Sequence, residues 1–131
     1  ALCASQWHKT LTYKGDFLKD GMTYDADFTK EFGYAPPYQA AESSAALLVF
    51  KDAFERANSF DKVKVRDALA ATDMQTFYGN IKFAAGGQNV DKPMVLFQVM
   101  CDGDKCENKV VAPTKWASAE LIHPIPSWSK R

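Results

Sequence analysis

The 131-residue sequence lacks an apolar run long enough to cross a bilayer. Its longest candidate, Ala45 to Phe50, falls far short of the roughly eighteen residues a spanning helix needs. It also lacks an excess of charge: 16 Lys and Arg balance 16 Asp and Glu, leaving no net field to attract nucleic acid or an anionic membrane. Histidine is scarce, with only His8 and His123, and neither stands in a catalytic motif. Each reads as an ordinary surface or packing residue. Ser43 and Ser44 lie mid-helix rather than on a strand-turn-helix elbow, and Gly86 with Gly87 has no lysine or helix context for holding phosphate. No catalytic residue, cofactor or metal is therefore expected, and the chain does not read as an enzyme. It starts at Ala1 without a methionine or a basic leader, so a secretory signal is expected to have been removed or to lie upstream.

What is present suits one compact unit: 47% of residues are hydrophobic and 13% aromatic. Of three cysteines, Cys101 and Cys106 flank the turn-forming stretch Asp102-Gly103-Asp104-Lys105 and could close a small disulfide across a hairpin. Unpaired thiols are the alternative, and metal binding a remoter one, since no second ligand cluster accompanies them. Cys3 reads as a small apolar residue at a strand start.

Residues 1–7 predict a short buried strand, and Lys9 to Gly21 a loop. Thr23 is positioned to cap a helix over Tyr24 to Phe32, whose Tyr24, Phe28 and Phe32 share a face, and Gly33 ends it. Asp25 and Asp27 read as first-turn charges that favour the helix dipole. Pro36 and Pro37 lead into a long helix, Tyr38 to Ala57, whose breadth of apolar surface predicts a central packing element. Asn58 and Ser59 break it. Asp61 caps a further helix from Lys62 to about Ala71, with Phe60 and Val65 spaced as a hydrophobic staple. After Thr72 the pattern turns to strands. Ile81 and Phe83 alternate with polar neighbours, Gly86-Gly87 marks a turn, and Pro93 to Met100 reads as a strand covered on both faces. A hairpin then runs into Val110 and Val111, and the tail carrying Trp116, Pro124, Pro126 and Trp128 reads as packed and extended.

One feature has a physical route to ligand binding. The amino end of the Tyr38 helix presents backbone N–H groups and positive dipole character, with the Tyr38 ring and the Gln39 amide beside it, so it could receive a carboxylate. Packing for Tyr38 and solvation for Gln39 are the bland alternatives. Gln6 and Trp7 form a similar pair after the first strand, with packing again the default.

Taken in order, several segments resemble the closing section of type I periplasmic binding proteins of the leucine/isoleucine/valine-binding family. They are Ser5-Gln6-Trp7; F-x-x-x-F-G-Y-x-P-P-Y-Q-A-A from Phe28 to Ala41; A-F-E-R-A-N-S from Ala53 to Ser59; and V-R-D-A-L-A from Val65 to Ala70. T-F-Y-G-N-I-K-F-A-A-G-G from Thr76 to Gly87, F-Q-V at Phe97 to Val99 and V-V-A-P at Val110 to Pro113 complete the series. The resemblance covers almost the whole chain.

It implies an α/β architecture, part of a two-lobed flytrap: an incomplete fragment with two main helices followed by strands and a C-terminal β-hairpin. Residues 1–7 would cross from the second lobe, 8–92 would belong to the first lobe, and 93–131 would cross back into the second. It further implies a periplasmic solute-binding component of an ABC-type importer, taking an amino acid or related organic carboxylate and delivering it to an ABC permease. Tyr38 and Gln39 would border the cleft, and Trp7 would lie on its hinge side. Ala40, Ala41 and Glu42 stand where the branched-chain binder has a bulky aromatic, which leaves room for a larger or aromatic solute. A ligand-sensing receptor or regulator on the same fold and a small α+β enzyme domain are the rival readings. Apolar faces at Phe50, Phe54, Leu69 and Val95 would pack on strands outside the chain, so self-association is expected, as in an exchanged dimer.

Overall fold

A computed structural model describes residues 1–127. The elements run β1 (Leu2–Ser5), α1 (Gly21–Phe32), α2 (Tyr38–Ala57), α3 (Lys62–Ala70), β2 (Asp73–Thr76), β3 (Gly79–Lys82), β4 (Val95–Asp102) and β5 (Lys105–Ala112). A short 3-10 turn, Thr114–Trp116, follows. β1, β4 and β5 form an antiparallel sheet in the order β1-β4-β5, and β2 and β3 form a separate hairpin. The molecule therefore has a helical body carrying the small hairpin, joined to the larger sheet by two connections: one leaves β1 and the other enters β4.

Local chemistry sets the helix boundaries. α1 starts at Gly21, two residues before Thr23, because Asp20 is the N-cap and its side chain accepts the Thr23 backbone N–H at 2.8 Å. Asp25 and Asp27 consequently fall beyond the first turn, and Asp25 pairs instead with Lys9 at 2.9 Å. Gly33 closes α1 in the left-handed conformation, its N–H reaching the Thr29 carbonyl. α2 spans the expected residues behind Pro37, and Asn58 ends it at positive φ. Asp61 caps α3 by accepting from the Val63 and Lys64 amides. The staple between Phe60 and Val65 does not form. Val65 is buried, whereas Phe60 is 91% exposed and leans on Phe54, with centroids 5.5 Å apart.

α2 packs through its smallest side chains. Ala41, Ala45, Val49 and Ala53 recur every fourth residue and are buried, and Ala41, Ala45 and Val49 join the core cluster with Tyr24, Phe77 and Ile81. Leu47 and Phe50 point outward, at 70% and 46% exposed, while Leu48 packs partly against the core. Tyr24 links α1 to α2 by a 3.0 Å bond to Ser44, and its ring joins Trp7 and Phe77 in the core.

The strands are less buried than their sequence suggests. β1 is an edge strand in which only Ser5 is buried, and Cys3 is an exposed free thiol. In β4 only Val95 and Gln98 are buried, so this strand is not covered on both faces. Val95 belongs to the chain's own core and leaves no face for an outside strand, while Leu69 packs partly against that core. Gln98 acts as a backbone substitute, since its amide exchanges two hydrogen bonds with Ile122 (2.9 and 3.2 Å) and ties the tail to the sheet. Trp116 is buried against Tyr13, while the expectation for Trp128 lies outside the described residues. Cys101 and Cys106 are paired across the β4–β5 turn in a disulfide, with Cα atoms 4.0 Å apart.

Candidate ligand-binding cleft

A cleft of about 510 Å³ opens between the helical body and the three-stranded sheet. The segment leaving β1 supplies Trp7, His8 and Lys9. The approach to α2 supplies Pro36, Tyr38 and Gln39, and the sheet supplies Phe97 from β4 with Glu107 and Lys109 from β5. Trp7, Tyr38 and Gln39, three residues singled out from sequence, thus line one cavity.

Their settings differ. Trp7 is only 5% exposed; its indole N–H points to the Phe77 carbonyl at 3.4 Å and its ring meets Tyr24 edge-on at 5.8 Å. It forms a rigid floor. Ser5 fixes the backbone there, its hydroxyl donating to the Trp7 carbonyl at 2.8 Å and accepting the Trp7 N–H at 3.3 Å. Tyr38 is 38% exposed, Gln39 is exposed, and both sit on the first turn of α2, where the dipole favours an anionic group.

The charges in the cleft are paired. Lys9 binds Asp25, and Lys109 binds Glu107, whose carboxyl is held below its ordinary range by that hydrogen bond. His8 lies among them rather than at an indifferent surface position. Burial pushes its pKa down, against a hydrogen bond to the Asn108 backbone that raises it, and its Nδ1 meets the Thr10 hydroxyl at 2.8 Å. At neutral pH His8 is therefore a neutral, engaged ring bridging toward β5. The cleft offers aromatic surface, a helix amino end and balanced charge, which suits a small zwitterion or an organic acid with an apolar part.

Sequence reasoning missed His8, Lys9, Asp25, Glu107 and Lys109 as cleft residues. Nothing local marks Glu107 and Lys109 as neighbours of Lys9, because pairing in the sheet brings them together.

Residues 6–105 match the family model described as periplasmic binding protein. Among solved structures, the chain is similar to a leucine-binding protein, LivK, from Thermotoga maritima, with a TM-score of 0.65 at 20% identity. The match covers 82% of this chain and 29% of that one, so this chain spans less than a third of the solved protein's length. At that identity the likeness establishes a shared fold.

Proposed function

Because the chain belongs to the periplasmic binding protein family, we propose that it forms part of the solute-binding component of an ABC-type importer, held in the periplasm and handing its solute to an ABC permease. The proposed solute is an amino acid or a related organic carboxylate, including aromatic ones. The observation that carries the reading is the meeting of Trp7, Tyr38 and Gln39 in one cleft between the helical body and the sheet. The solved protein of the same fold is described as leucine-binding, which supports an amino acid as the first class to test. In this role the protein binds and releases its solute and does no chemistry on it.

Residues 1–7 and 93–131 are assigned to the second lobe and its crossings, and residues 8–92 to the first. The antiparallel pairing of β1 with β4 supports this division, since one strand leads out of the sheet toward the helices and the other leads back. Closure of the lobes would then bury the solute against Trp7 and the α2 amino end.

A thermal-shift screen of the full-length protein against amino acids and aromatic acids tests the assignment. A ligand at a hundred times its Kd stabilises by about 2.7 kcal/mol, which is readily seen as a raised Tm. A flat response across both classes at millimolar concentration would sink it.

A further inference from the structure

The two connections between helical body and sheet touch at one side chain. Lys92 lies on the stretch that enters β4, yet its amine donates to the backbone carbonyl of Gln6, on the stretch that leaves β1. The same amine stands 4.1 Å above the centre of the Tyr78 ring. Its stem passes so close to Gly79 that a Cβ there would come within 2.8 Å of the Lys92 Cδ and Cε atoms. Gly79 has φ +147°, a backbone conformation that favours glycine, whereas a Cβ there would displace only the flexible Lys92 stem.

The Gln6 carbonyl belongs to the peptide that joins Gln6 to Trp7. We propose that Lys92 is a positioning residue for the cleft, holding the Gln6–Trp7 peptide, and through it the Trp7 floor, by the bond from its amine to the Gln6 carbonyl. Ser5 anchors the far side of Trp7 through its hydroxyl, so this stretch is gripped at both ends. Lys92 touches no part of the cleft itself and acts only through Gln6.

The amine is costly to keep there. Burial pushes its pKa down to about 8, and Glu42, the carboxylate that opposes the shift, does not restore it. A lysine retained only for stability would be better placed with its charge in water, whereas one retained for position must hold a directional donor at a fixed point. The two roles separate in a variant. Lys92→Met keeps the stem and its packing but loses the donor.

The inference rests on the cleft being the solute site, but its test needs no solute. Hydrogen exchange of the folded protein is compared between the native sequence and Lys92→Met. Exchange across residues 4–8 is expected to rise about tenfold while α2 is unchanged and the Tm holds or increases, since one restraining hydrogen bond is lost locally. Unaltered exchange at 4–8, or a uniform rise that includes α2, would overturn the assignment. Should the Met variant not fold, Lys92→Arg decides instead. It retains a donor, so exchange at 4–8 as slow as in the native protein is expected, and fast exchange there refutes the role. A negative solute screen would end the transport reading yet leave this result standing.

Discussion

Tyr24 and Phe77 stack with centroids 4.3 Å apart and planes inclined by 27°, and Trp7 sets its edge against both. α1 and the β2–β3 turn thereby meet at the floor of the cleft, so the cleft's shape depends on the deepest part of the core. Removing the Phe77 ring should cost roughly 3–5 kcal/mol, the range for truncating a buried aromatic. Phe60→Ala, at a ring left in solvent, should cost less than about 0.5 kcal/mol. Urea denaturation of both variants checks the contrast, and equal losses would contradict the packing described.

The outward face of α2 makes a second expectation. Leu47, Phe50 and Phe54 are exposed together, and an open apolar groove of about 580 Å³ runs beside them between α2, α3 and β3. The 131-residue chain should self-associate and elute above its 14.6 kDa mass, and Leu47→Glu with Phe50→Glu should shift it toward the monomer. Light scattering that finds the unaltered chain monomeric would count against this.

Stability should depend on pH through Lys92. Its pKa falls from an ordinary 10.5 to about 8 on folding, so between those values the unfolded chain holds the extra proton and stability rises with pH. The contribution is complete above 10.5 and is lost as pH falls through about 8. Lys92→Met should flatten that stretch of the stability curve. An unchanged slope in the variant would show that another group is responsible.

Solute affinity should depend on the α2 amino end. Tyr38→Ala is expected to weaken binding about tenfold, and Gln39→Ala by less, judged by the worth of one good contact in a cleft. Phe60→Ala serves as the control and should leave affinity unaltered. Calorimetry with a solute found in the screen provides the measurement. Equal affinity of Tyr38→Ala and the native protein would remove Tyr38 from the site.

The features legible in sequence were those governed by neighbours along the chain. α2 lies between a proline pair and an asparagine that adopts positive φ, and both signals are local. α1 starts earlier than a Thr23 cap predicts because Asp20 and Thr23 are both good caps, and only the direction of their hydrogen bond, from the Thr23 N–H to Asp20, distinguishes them. Which face of α2 is buried could not be read from hydrophobicity, since the small Ala41, Ala45 and Ala53 are buried while Leu47 and Phe50 are exposed. Of the cleft, the resemblance and the helix start pointed to Tyr38 and Gln39. Glu107 and Lys109 needed the register of β4 on β5, and the grip of Lys92 on Gln6 joins residues 86 positions apart.

The Cys101–Cys106 link at the tip of the β4–β5 hairpin has a consequence for alignment. A ladder that buries only Val95, Gln98 and Val110 has little hydrophobic preference to stop one strand from slipping past the other, and a one-residue slip would turn every side chain to the opposite face. A covalent staple between directly facing positions forbids that slip from the distal end. Glu107 and Lys109 thus keep facing the same way even where solvent bathes the ribbon.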